Sequence, residues 1–112
     1  MNNNNWQTIN FNQSIRDAML YLNKIPIKTL LVLKNNKLIA TLSDGDIRRG
    51  IQNGKELDSQ ISEVCNYKFK YIKSTNKKQN INKLFQSYNV PLIPILNNNK
   101  KIVEVISEES LK

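Results

Sequence analysis

The stretch that decides the fold is Lys37-Leu38-Ile39-Ala40-Thr41-Leu42-Ser43-Asp44-Gly45-Asp46-Ile47-Arg48-Arg49. Leu38 to Leu42 is an apolar run of strand length, and Ser43 then opens a series of small and acidic residues that suit the first turn of a helix. That helix is expected from about Asp46 to Gln52, with Gly54 as its C-terminal stop. All three glycines of the chain, Gly45, Gly50 and Gly54, fall in or just after this stretch, which concentrates backbone freedom here. A strand-to-helix turn exposes unpaired amide N–H groups at the positive end of the helix, a setting that favours an anion such as phosphate. Asp46 is placed to accept both hydroxyls of a ribose diol, Ser43 to add a hydroxyl contact, and Arg48 or Arg49 to reach phosphate oxygens. Ser43 and Asp46 also sit at the two positions of a capping box, with Asp for the usual Glu or Gln, so a purely helix-starting role reads equally well. The two arginines beside two aspartates would then simply balance them.

Working outward, the chain repeats itself. Ile15, Ala18, Met19 and Leu22 form one apolar stripe of a helix over Ser14 to Asn23, started by Ser14 with Asp17. Ile81, Leu84, Phe85 and Tyr88 repeat that spacing. Each helix leads through a proline-containing turn (Ile25-Pro26-Ile27, Val90-Pro91-Leu92) into a hairpin: Thr29 to Leu33 with Leu38 to Leu42, and Ile93 to Leu96 with Ile102 to Ile106. Each hairpin ends on a serine, Ser43 or Ser107. Short extended pieces, Trp6 to Ile9 and Phe69 to Ile72, precede the helices, giving strand, helix, strand, strand, helix twice. Ile61, Val64 and Cys65 predict a short apolar-faced turn in the connection.

With this duplication in place, KLIATLSDGDIRR resembles the corresponding segment of tandem CBS domains (cystathionine β-synthase-type domains). Members of that family commonly end the hairpin with Gly, two apolar residues, Thr or Ser, two variable residues and Asp. Here Ala40 replaces the Gly, while Ser43 and Asp46 fill the hydroxyl and acid positions that contact ribose. The resemblance runs from about Thr8 to Leu111 and implies an α+β fold of two βαββ(α) repeats packed as a pseudo-two-fold pair. It divides the chain into repeat 1 (1–56, with a disordered Asn-rich start), a linker (57–66) and repeat 2 (67–112), whose last helix looks truncated, as in a piece of a longer protein. It further implies a non-catalytic module that needs no cofactor or metal and senses an adenine nucleotide or S-adenosylmethionine in a cleft shared by the repeats. The base would lie among Ile9, Pro26, Ile27 and Leu42, with backbone groups near Thr8 and Lys28 reading its edge. The paired arginines resemble the version found before sugar-phosphate nucleotidyltransferase domains, so the expected partner is such a catalytic domain, in a homodimer formed through the helices. In the second copy Ser107 is kept, but Glu104 stands where Gly is common and Ser110 where the Asp would be, so one competent site and one degenerate site are expected.

Composition bounds these readings. A chain of 112 residues buries about two thirds of its unfolded surface, enough for a core without metal or disulfide staples. With no His and the single Cys65, an internal disulfide, an imidazole base and a Cys/His metal cluster are all excluded. Cys65 reads as a small buried hydrophobe. The apolar runs are far too short to span a bilayer and the start has no signal-peptide pattern, so the expected location is cytoplasmic, without a membrane partner. The net charge of +8 is shared equally by the two halves and forms no tail. It is locally concentrated between Glu63 and Glu104, where Lys68, Lys70, Lys73, Lys77, Lys78, Lys83, Lys100 and Lys101 occur without a single acid. Two competing functions follow from this. Lys68-Phe69-Lys70-Tyr71-Ile72-Lys73 could serve a single-stranded nucleic acid, but alternation more simply sends Phe69 and Tyr71 into the core, and no RNP signature is present. Asp44-Gly45-Asp46 is a D-x-D of the kind that holds a divalent ion against a nucleotide-sugar, but two carboxylates leave most of a coordination shell unfilled and no catalytic constellation accompanies them.

Overall fold

The computed structural model describes residues 6–76 and 81–108. These fall into two compact units, one of 6–35 and 39–69, the other of 36–38 and the described residues from 70 onward. The expectations placed on Asn2 to Asn5, on Lys77 and Lys78, and on the helix start at Glu109 and Ser110 lie outside the described residues. The chain runs β1 (Gln7–Asn10), α1 (Ile15–Leu22), β2 (Thr29–Lys34), β3 (Lys37–Ser43), α2 (Asp44–Gln52), then β4 (Ile72–Lys73), α3 (Ile81–Tyr88), β5 (Leu92–Leu96) and β6 (Ile102–Ser107). Its two three-stranded sheets have the same order, β1-β2-β3 and β4-β5-β6, and the first strand of each pairs in parallel with the second. The duplication read from the sequence is therefore present in the pairing as well as in the order of elements, and the fold is α+β as expected.

In the first unit, α1 buries Ile15, Ala18 and Leu22 against Leu30 and Val32 of β2, Ala40 and Leu42 of β3, and Ile47 of α2. Full burial of each Ile or Leu side chain is favourable by about 1.5–3 kcal/mol, so this cluster dominates the stability of the unit. Met19, expected in the buried stripe, lies at its edge and is 41% exposed, because the core face of a helix this short is filled by three residues. Asn35 and Asn36 both take positive φ (54° and 66°) between β2 and β3, the geometry of a type I′ hairpin, which Asn tolerates better than most residues.

The connecting segment is tied down at both ends. Ser59 and Leu57 carbonyls accept from the amides of Ile15 and Arg16, which satisfies two of the donors that α1 leaves open at its start. Asn66 exchanges both backbone hydrogen bonds with Thr41. Between these ties Ile61–Glu63 forms the expected short turn, of 3-10 type, with Ile61 fully buried in the core.

In the second unit Phe85 of α3 packs with Ile72, Ile93 and Ile95. The strand expected over Phe69 to Ile72 is only Ile72–Lys73. Its register turns Ile72 inward and leaves Tyr71 44% exposed, which corrects the expectation that alternation buries Tyr71; Phe69 is half-buried. Strand pleating places alternate residues on opposite faces, and the inward position belongs to Ile72.

Gly50 has a specific packing reason. A Cβ added there would overlap Val64 Cγ1 and lie 3.1 Å from Val64 Cβ, so α2 approaches the connecting segment more closely than any side chain allows. Alanine is favoured over glycine in a helix by about 1 kcal/mol, but overpacking against a stiff β-branched neighbour costs about 1–3 kcal/mol, and the second effect wins. Gly50→Ala is expected to lower stability in chemical denaturation, and to lower it less in a Val64→Ala background, which removes the overlapping Cγ1 but keeps the Cβ at 3.1 Å. Equal effects in the two backgrounds would contradict this packing account.

Candidate functional site

The turn from β3 into α2 gathers the charged residues singled out above. Ser43 keeps extended backbone (φ −109°, ψ 169°) and caps the helix, which starts at Asp44, two residues earlier than expected, because the cap completes the first turn. The Asp46 amide donates to Ser43 Oγ at 3.2 Å, and the Ser43 amide donates to Asp46 Oδ2 at 2.9 Å. The other carboxylate oxygen, Oδ1, accepts from Arg49 Nη2 at 2.7 Å. The Asp46 side chain is 15% exposed and that of Arg49 64%.

Both guanidinium groups fold back toward the helix start: a Cβ on Gly45 would lie 3.2 Å from Arg49 Nη1 and 3.6 Å from Arg48 Nη2. Cations are disfavoured at the positive end of a helix, and here Asp44 and Asp46 in the same turn offset them. Among the described residues Arg48 has no carboxylate within ion-pair distance, whereas Arg49 is paired with Asp46.

The start of α1 provides an internal comparison. Ser14 and Asp17 form the same reciprocal box, at 3.1 and 3.4 Å, so the box alone does not mark a site. Two things distinguish α2. Asp17 is approached by the Gln13 amide, at 3.5 Å, where Asp46 is held by an arginine. The first amides of α1 are closed off by the carbonyls of Leu57 and Ser59, whereas among the described residues no backbone carbonyl accepts from the amides of Asp44 or Gly45.

The residues expected around a base lie on β1, on β3 and in the turn between α1 and β2. Ile9 and Leu42 are core residues at 3% and 0% exposure. Pro26 and Ile27 lie in the turn between α1 and β2, Pro26 exposed and Ile27 buried. Lys28 donates its Nζ to the Leu22 carbonyl at 2.6 Å and so closes the C-terminal end of α1, while Thr8 is half-buried on β1 opposite Leu31. Asp44 of the D-x-D is exposed, and among the described residues no group of three or more His, Cys, Asp or Glu could hold a metal ion. No described helix is long and apolar enough to cross a membrane.

A surface pocket of about 240 Å³ adjoins the turn, lined by Asp46, Arg49, Gly50, Asn53, Lys55, Glu63 and Val64. The sequence reading missed it. Asp46, Arg49, Gly50 and Asn53 do share one helix face at i, i+3, i+4 and i+7, but its opposite wall, Lys55 paired with Glu63 at 2.9 Å, is brought there only by the fold of the connecting segment.

The architecture is that of a CBS-domain pair. No family model matches the chain. A crystal structure of a CBS domain is 26% identical, with a TM-score of 0.74 over 93% of this chain and 82% of that one. A CBS domain protein from Pyrobaculum aerophilum complexed with AMP is 16% identical (TM-score 0.75, 98% and 86% covered), and the cytosolic domain of the Mg2+ channel MgtE in complex with ATP is 13% identical (TM-score 0.74, 96% and 44% covered). An uncharacterised protein of Helicobacter pylori strain J99 is 34% identical over 62 residues, which are 54% of this chain; the match spans 19% of the length of that relative.

Behind the site, Cys65 is half-buried and its thiol is pushed up by burial, opposed by a hydrogen bond with Tyr67 and reinforced by the charge of Asp46. Tyr67 donates its hydroxyl to the Ser62 carbonyl at 2.6 Å, and its interaction with Cys65 together with partial burial raises it from an ordinary 10 to about 12. A tyrosine that holds its proton more tightly when folded contributes stability in full below pH 10 and loses it as pH climbs toward 12. Tyr67→Phe is therefore expected to flatten the alkaline decline of the unfolding midpoint between those limits, relative to the unsubstituted chain. Superimposable pH profiles would rule this out.

Proposed function

We propose that this chain is a non-catalytic, ligand-sensing CBS module that binds an adenine nucleotide through Ser43 and Asp46, with Arg48 and Arg49 directed at its phosphate. The observation that carries the reading is the difference between two otherwise equal helix starts: α1 is sealed by backbone carbonyls, while α2 keeps its first amides open beneath two guanidinium groups. Ser43 retains its hydroxyl proton as a donor and Asp46 retains acceptor capacity, so capping and ribose binding are compatible in the same pair of residues. The AMP and ATP complexes of proteins with this fold support the ligand class. S-adenosylmethionine belongs to the same adenosyl class and offers the same diol.

Sensing requires that the ligand bind two states of a larger assembly with different affinity. A catalytic domain of the sugar-phosphate nucleotidyltransferase type is the proposed partner, on the resemblance of the Asp46-Ile47-Arg48-Arg49 segment; the matched relative is much longer than the matched stretch. Met19, Leu20 and Ile51 are large apolar residues exposed on α1 and α2, and they supply the surface proposed for a homodimer.

AMP, ADP or ATP is expected to raise the melting temperature, because a ligand present at about a hundred times its Kd adds about 2.7 kcal/mol to the folded state. Asp46→Ala abolishes that shift. Asp17→Ala, which breaks the matching box in α1, lowers the starting temperature and leaves the shift intact. Absence of any shift with all three nucleotides at millimolar concentration would overturn the proposal.

A further inference from the structure

We infer that Arg49 is a latch on the ribose acid, exchanged for ligand phosphate on binding, and that this exchange makes the site selective for nucleoside phosphates over the bare nucleoside. The inference rests on the nucleotide reading of Ser43 and Asp46 and concerns how that site chooses within its ligand class.

Asp46 has two carboxylate oxygens with different tasks. Oδ2 is committed to the Ser43 amide as part of the cap and cannot leave without opening the first turn of α2. Oδ1 makes no hydrogen bond to the cap and is the oxygen on which a diol can be accepted without crowding it, and it is held by Arg49 Nη2 at 2.7 Å. With the carboxylate 15% exposed, the guanidinium and a ribose compete for one narrow approach.

Among the described residues the arginine side chain is held only at its outer end, by Asp46. Its side chain is 64% exposed and lies over Gly45, where the absence of a Cβ leaves room for it to pivot. It also borders the pocket lined by Gly50, Asn53 and Lys55, a space into which the side chain can move.

The balance differs between two kinds of ligand. When a nucleoside phosphate binds, Arg49 exchanges one anionic oxygen for another, keeping a charge-assisted hydrogen bond of similar strength while Asp46 gains the diol. With bare adenosine, Arg49 is released into water with nothing in return, and the diol has to compete against the ion pair. Arg48 takes no part in the latch, since it has no carboxylate partner among the described residues. The two neighbouring arginines thus have separable roles: Arg48 only attracts phosphate, whereas Arg49 both attracts phosphate and blocks ligands without it.

The test is calorimetric titration of AMP and adenosine into the 112-residue chain, Arg49→Ala and Arg48→Ala. AMP is expected to bind the unsubstituted chain at least about tenfold more tightly than adenosine. Arg49→Ala weakens AMP but tightens adenosine by about threefold, the size of effect one exposed ion pair can exert. Arg48→Ala weakens AMP and leaves adenosine unchanged. A gain in adenosine affinity cannot arise from damage to the fold, so it separates the latch from a structural role. If adenosine binds Arg49→Ala no better than it binds the unsubstituted chain, the latch is overturned while nucleotide binding stands. If neither ligand binds any of the three proteins, the nucleotide reading falls and the latch with it.

Discussion

The reciprocal pair of hydrogen bonds between Ser43 and Asp46 is the constraint on which the first unit of this protein turns. It converts the last residue of β3 into the cap of α2 without an intervening loop, so the direction of the helix is set by the direction of the strand. Ile47 then points into the core, and Gly50 meets Val64 at a separation no side chain would permit. The same two bonds orient the Asp46 carboxylate, committing one oxygen to the backbone and leaving the other for Arg49. In the proposed nucleotide reading a structural device and a binding group are one side chain, which links stability to ligand affinity at this residue.

The chain contains that device twice in its first unit, and the two copies differ in their surroundings. At Ser14 and Asp17 the open amides of the helix are consumed by Leu57 and Ser59, and the neighbouring polar group is a neutral amide. At Ser43 and Asp46 no such carbonyl closes the turn among the described residues, and two guanidinium groups gather there against the preference of the helix dipole. Local geometry is nearly equal in the two cases. What differs is what surrounds the helix start: backbone carbonyls and a neutral amide in one case, open amides and two guanidinium groups in the other.

Much of this was legible in the sequence because it depends on spacing. The apolar stripe of α1, the serine caps and the repeat of strand, helix and hairpin all follow from residues a few positions apart. Errors appeared where the outcome depended on distant packing. Tyr71 was expected inside, but β4 begins only at Ile72, so the face that turns inward is set by the partner strand β5. Met19 was expected in the core, but Ile15, Ala18 and Leu22 already fill the face of α1 that meets β2.

By itself the sequence determined the α+β architecture, its internal duplication and the capping box that starts α2, because periodicity and hydrogen-bonding residues at fixed short spacing act locally. Only the tertiary structure decided which of the two capped helices keeps its amides open, where the Arg49 guanidinium rests and how the 57–66 segment builds a pocket beside Asp46. Those outcomes depend on groups far apart in the chain competing for the same donors and the same space, and such competition leaves no periodic trace in the order of residues.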